Sequence, residues 1–219
     1  PIKSMRDLFS KLSIPYITMP LSKHIAGATV ATESSRCIVA NTVGQNINPL
    51  VRRLTVTHEL CHLLWDPDKN LKSLIVDSYD NVETSYFAAN TDHYIEQRAN
   101  AFAIEFLMPV ASIKRKSDTE SIQEYIRSNM LRYGTSFTST KFHLRCNDFI
   151  TDSDLNILND PKNFVQTDSN DEWKAEEDYT LDFFPLMIQD NKKGVFSYWV
   201  AKSFSEKLIS LDSAAGFLG

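Results

Sequence analysis

Two periods of apolar residues run along this chain, and where each holds predicts its elements. Residues 6–14 read as a short helix ending before Pro15. "ATVATE" (28–33) and "RCIVANTV" (36–43) are rich in β-branched residues and read as strands, with Gly27 and the intervening "ESS" as turns. A helical period takes over in "NINPLVRRLTVTHELCHLLWDP" (46–67). Asn48 suits its N-cap, Pro49 its first position, and Pro67 stops it. Residues 66–91 are polar, with one short element around "SLIV". Helical spacing returns in "TDHYIEQRANAFAIEFLMP" (91–109), capped by Thr91 or Asp92 and stopped by Pro109. It continues in "ESIQEYIRSNMLRYG" (120–134), closed by Gly134, and in "TSFTSTKFHLRCN" (135–147). The expected class is α+β.

Near residue 151 the pattern fades. Residues 151–180 are acidic and thin in periodic apolar positions, which reads as a linker. "GVFSYWV" (194–200) then looks like a strand, and "KSFSEKLISLDSAAGFLG" (202–219) like an amphipathic helix.

Composition narrows the function classes. At 219 residues and 42% hydrophobic, the chain is long enough for a substantial core. A net charge of −5 argues against a broad nucleic-acid footprint, and "KRK" (114–116), Lys141 and Arg145 are too few for tight phosphate binding. No apolar run approaches the length of a membrane span, about 20 residues. The first twenty residues lack the basic and apolar regions of a signal peptide, and a start at Pro1 reads as a fragment or a processed product. Three widely spaced cysteines (Cys37, Cys61 and Cys146) are no disulfide framework and predict a reducing, cytoplasmic compartment.

The chemistry concentrates in "LTVTHELCHLLW". His58 and His62, four apart on a helix, share a face and can reach one ion. Glu59 is turned about 100° from His58, so it flanks that ion without having to bind it. Zinc held by the two histidines would bring a water's pKa to about 7, and Glu59 could take its proton and pass it to a leaving amine. An ordinary helix with two core histidines is the plainer reading, and a third ligand would decide between them. A histidine downstream in the H-E-x-x-H-x-x-G-x-x-H pattern is excluded, because Trp65 and Asp68 hold the glycine and histidine positions. The next helix offers Glu96, at the border of its apolar stripe, with Asn100 one turn on and able to fix the tautomer of a ligating histidine. Asp92 and His93 compete for the ligand role. Cys61 points off the metal face and reads as a small core residue.

These motifs carry a resemblance. "RRLTVTHELCHLLWD", followed by "EQRANAFAIEFLMP", resembles the ImmA/IrrE metallopeptidases, whose pattern is R-x-F-T-x-A-H-E-x-G-H and then E-x-x-A-N-x-F-A-x-x-L-L-M-P. "RCIVANT" resembles their strand before the active-site helix, and "LRYGTSFTSTKFHLR" their helix-turn-helix-like segment, so the likeness covers roughly residues 25–150. Cys61, Leu54 and Thr57 stand where the family has Gly, Phe and Ala. The resemblance implies a zincin-like catalytic domain, a small sheet packed on the H-E-x-x-H helix, over residues 1–112. A helical, helix-turn-helix-like segment (113–150) and an acidic linker with a C-terminal extension (151–219) would follow. By position it implies His58, His62 and Glu96 as zinc ligands and Glu59 as catalytic base and acid. It further implies a zinc endopeptidase of narrow specificity that cleaves a helix-turn-helix transcriptional repressor in stress, mobile-element or defence regulation. A binding module with a structural metal, or a toxin-like partner in a two-gene system, is the competing expectation. The strand around Ile38–Thr42 would wall the cleft and add a substrate strand, and His93, Tyr94, Tyr79, His143 and Arg145 are all eligible to assist an oxyanion.

Overall fold

A computed structural model of the chain describes residues 2, 4–31, 36–66, 75–78, 91–158, 192 and 194–218. Its side chains are described over the same residues except Ala31, 75–78 and 91–93. Helix α1 (Met5–Lys11) starts at Ser4, whose side chain accepts from the Asp7 amide at 3.1 Å, and it leads into strand β1 (Tyr16–Met19). Strands β2 (Ile25–Ala31) and β3 (Arg36–Asn41) follow, then a 3-10 turn at Gly44–Ile47 and the long helix α2 (Pro49–Trp65). Strand β4 (Ile75–Ser78) and helix α3 (Thr91–Leu107) come next. The sheet runs β1-β3-β2-β4, with β1 parallel to β3 and the other two pairings antiparallel. The class is α+β, with the sheet and α3 both packed on α2.

Helix α2 forms where the sequence predicts it. Asn48 accepts from the Leu50 amide at 2.9 Å, Pro49 opens the first turn, and Asp66 is the C-cap. Helix α4 (Ile122–Tyr133) opens on a reciprocal capping box between Ser121 and Glu124 and ends at Gly134, whose φ of 65° suits a residue without Cβ. Helix α5 (Phe137–Cys146) is capped by Ser136. One hydrophobic cluster runs from Met5 and Phe9 through Leu50, Leu60, Ala103 and Leu107 to Ile126, Leu144 and Leu158. The sheet, α2, α3 and the helical segment thus share a core.

Four expectations are corrected. Gly27 is not a turn but lies inside β2, which starts at Ile25. The proposed linker opens with helix α6 (Asp152–Leu158), where Thr151 and Asp154 cap each other and Leu158 is buried in the core; the remainder, 159–180, lies outside the described residues. "GVFSYWV" is not a strand: Val195–Ser205 is helix α7. Its β-branched and aromatic residues favour a strand locally, but Ser197 and Val200, three apart, turn inward together, which is helical spacing. The tail is also broken into α7 and α8 (Leu211–Leu218), with Lys207 at φ 60° between them. Strand β1, only four residues long, has no counterpart in the expectations.

Candidate metal centre

The site is built across α2 and α3. His58 and His62 project from one face of α2, and the apolar stripe of α3 brings Glu96 and Asn100 to them. The ligand atoms of His58, His62 and Glu96 all lie within 4.8 Å of one another. His58 Nε2 is 2.9 Å from His62 Nε2, and Glu96 Oε2 is 3.1 Å from the first and 3.8 Å from the second.

The far side of each imidazole explains that crowding. Asn100 Oδ1 stands 2.7 Å from His58 Nδ1, the placement its i,i+4 relation to Glu96 predicts, and Asp66 Oδ2 stands 2.6 Å from His62 Nδ1. Both Nδ1 atoms face oxygen acceptors, so each carries its ring's proton, and in the neutral ring Nε2 is left with a lone pair. Glu96 Oε2 is buried and, among the described residues, accepts no hydrogen bond. Three lone-pair atoms so close repel one another unless a cation sits among them. Ligands about 2.0–2.1 Å from a tetrahedral ion stand about 3.3 Å apart, within the span of the three separations seen here. The residues therefore fit a divalent metal. Cys61 is not in the group: it is buried, and burial pushes its thiol pKa up, against a thiolate.

Glu59 is set into the sheet side of α2. It is fully buried, its Oε2 accepts from the Thr29 hydroxyl at 2.6 Å, and that hydroxyl is also 3.0 Å from the Glu59 carbonyl. Residues 27 and 29 of β2 share a face, and that face meets the helix. A Cβ on Gly27 would lie 2.9 Å from Glu59 Oε1 and 3.0 Å from Thr55 Cγ2, so only glycine lets α2 approach this closely. Nearby, Asn41 accepts from the Leu21 and Val43 amides and donates to the Ser22 and Ile25 carbonyls, which fixes the start of β2.

Other expected participants lie elsewhere. Strand β3 is interior, paired on both sides, so its backbone cannot take an added strand; among the described residues β1 and β4 are the outer strands. His143 donates from Nε2 to the Met108 carbonyl, 2.9 Å away just past the end of α3, and Arg145 pairs with Asp152 at 2.6 Å. Neither is free to assist an oxyanion. Tyr94 is exposed on α3. Tyr79 lies outside the described residues, as do the side chains of His93 and Asp92. A cavity of about 230 Å³ is lined by Lys114, Arg115, Arg132 and Glu120, away from the histidines, and holds none of this chemistry.

Asp66, Arg98, Thr29 and Gly27 were not singled out from the sequence as site residues. Asp66 had a signal, since it lies four residues after His62 and so on the same helical face. The others are brought in only by tertiary structure.

Against known proteins, the peptidase family described as the IrrE N-terminal-like domain matches residues 11–144, more than half of the chain. No curated protein matches it. Among the described residues, no helix is long and apolar enough to cross a membrane.

Proposed function

The chain belongs to that peptidase family, and from this membership we propose that it is a zinc-dependent endopeptidase of narrow specificity. His58, His62 and Glu96 would hold the ion, and Glu59 would be the proton carrier. The single observation behind the metal is the meeting of three lone-pair atoms from two helices, with both imidazole Nδ1 atoms already engaged. Bound there, zinc supplies Lewis acidity, lowering the pKa of a water to about 7 and polarising the scissile carbonyl. Glu59 takes the proton as water's oxygen bonds to the carbonyl carbon. It returns a proton to the amide nitrogen as the C–N bond breaks. Thr29, donating to Oε2, fixes the plane of the Glu59 carboxylate during both transfers. Burial around Glu59 keeps bulk water from competing.

The substrate reading is a helix-turn-helix transcriptional repressor, in stress, mobile-element or defence regulation. It is supported by the resemblance of the motifs around His58 and Glu96, and it fits a cytoplasmic protease that spares other proteins. The purified chain, incubated with the helix-turn-helix protein encoded beside its gene, should cut it and leave casein nearly intact. Glu59→Gln should lower cleavage about 10²–10⁴-fold while one zinc per chain is retained, because the amide cannot take a proton. His58→Ala or Glu96→Ala should lose the zinc itself. Cleavage that survived Glu59→Gln would leave only a binding module, and rapid digestion of casein would favour a degradative enzyme or a toxin.

A further inference from the structure

Asp66 is oddly placed for a structural residue. It caps the C-terminus of α2, where a negative charge meets the negative end of the helix dipole, and its side chain is almost fully buried. Something else must hold it there. Its Oδ2 lies 2.6 Å from His62 Nδ1, and its Oδ1 accepts from Arg98 Nη2. Arg98 stands on α3 two residues after Glu96, with its side chain 42% exposed. A chain Arg98–Asp66–His62 therefore joins the same two helices that supply the metal-binding atoms, running from water to a fully buried imidazole.

Both neighbours of Asp66 are donors: a guanidinium that can only donate, and an imidazole N–H. A carboxylate has an acceptor for each, whereas an asparagine has one oxygen for two donors. Once Arg98 takes that oxygen, the amide NH₂ faces His62 Nδ1 and forces the proton to Nε2, the atom that must be bare. His58 differs, because its Nδ1 meets a neutral amide oxygen, that of Asn100, rather than a carboxylate. The two imidazoles are thus supported unequally.

We propose that Asp66 and Arg98 are positioning residues that hold His62 in the Nδ1–H tautomer and so set how tightly the chain binds its metal. The inference rests on the metallopeptidase reading. Asp66 supplies the charge that makes His62 Nε2 a stronger donor to a cation, and Arg98 keeps the carboxylate in the plane of the ring.

The test is zinc affinity of the full chain, measured by competition with a chromophoric chelator, for wild type, Asp66→Asn and Arg98→Gln. Asp66→Asn should weaken zinc binding roughly ten- to a hundredfold, and Arg98→Gln should weaken it less. A residue that merely clips α2 to α3 would instead lower the melting temperature of the zinc-free protein and leave affinity alone. In the zinc-free protein, ¹⁵N imidazole shifts should place the His62 proton on Nδ1 in wild type and move it toward Nε2 in Asp66→Asn. Zinc affinity within twofold of wild type, with the tautomer unchanged, overturns the inference while leaving the peptidase reading intact. Should Asp66→Asn fail to fold, Arg98→Gln alters a half-exposed residue and decides the matter by the same affinity measurement: no weakening overturns the inference. A wild-type chain that binds no zinc overturns the inference and the metallopeptidase reading together.

Discussion

Helix α2 and the C-terminal pair α7–α8 depart from ordinary amphipathic helices in opposite directions. Helix α2 buries Arg53, Thr55, Thr57, His58, Glu59 and His62, whereas α7, α8 and the link between them expose Trp199, Phe204, Leu208, Leu211 and Phe217. A buried polar group is costly unless it is hydrogen-bonded, and each of these residues on α2 has at least one such bond. Arg53 reaches Gly134 and Ile2, Thr55 reaches Asn46, Thr57 reaches the Arg53 carbonyl, and Glu59 reaches Thr29. The histidines reach Asn100 and Asp66. Exposed apolar side chains carry no comparable cost, because much of any protein surface is apolar. The difference is instructive. Polar residues held inside by partners far away in sequence mark a built site, while exposed apolar residues identify nothing by themselves.

The contrast should break most forcefully at Arg53. Its side chain is fully buried, with Nε donating to the Gly134 carbonyl at 3.1 Å and Nη2 to the Ile2 carbonyl at 2.6 Å, so it ties α2 to the N-terminal arm and to the turn after α4. Arg53→Met keeps much of the volume and removes both donors. At about 1–3 kcal/mol for each acceptor left without its donor, the chain should lose roughly 2–6 kcal/mol. Urea denaturation measures this; a loss below 1 kcal/mol would mean that the buried polar face of α2 contributes little to the fold.

Gly27→Ala should cost less stability but act on the chemistry. The added Cβ meets Glu59 Oε1 at 2.9 Å and Thr55 Cγ2 at 3.0 Å, so β2 or the carboxylate must shift. Overpacking of this kind costs about 1–3 kcal/mol. Cleavage should fall further than stability does, since the displaced group is the proposed proton carrier, and zinc content should stay at one per chain. Equal cleavage by Gly27→Ala and wild type would place the proton transfer elsewhere.

Much of this was legible in the sequence because it is local. Asn48, Pro49 and Gly134 act within a few residues of themselves, and the structure has each in its cap. The i,i+4 spacing of His58 with His62 is read off directly, and the apolar stripe of α3 points Glu96 at them. Thr29 and Arg98 were illegible for the opposite reason, since their partners stand 30 and 32 residues away. Gly27 misled because glycine in a turn and glycine at a close helix–strand approach look alike in sequence. "VFSYWV" misled because β propensity yields to packing, which here follows Ser197 and Val200.

Between the two extremes lies His143, a buried polar residue outside the site. Burial lowers its pKa, opposed by the hydrogen bond to the Met108 carbonyl and by the charge of Glu105, 3.5 Å away. The unfolded chain then takes up its proton at higher pH than the folded one does. Stability is therefore complete well above the ordinary histidine pKa, about 6.5, and declines as pH falls through it. The slope for one proton is at most about 1.4 kcal/mol per pH unit. His143→Gln, compared with wild type by urea midpoints from pH 7.5 to 5, should flatten part of that decline. An unchanged slope would remove His143 as its source.

The smallest effects are expected on α7–α8, and they define the other side of the contrast. Leu208 is 71% exposed and Leu211 65%, whereas Val200, inward on α7, is 6% exposed. Leu208→Ser and Leu211→Ser remove little burial, so each should change stability by no more than about 0.5 kcal/mol and leave zinc content alone. Val200→Ser should cost about 1–3 kcal/mol, because its methyl groups leave a packed contact and a hydroxyl replaces them. Urea midpoints for the three variants read the ratio directly. A loss near 2 kcal/mol at Leu208 would mean that its side chain is covered in the folded chain. The exposed face of α7–α8 would then be an ordinary core face, and α2 alone would depart from the burial rule.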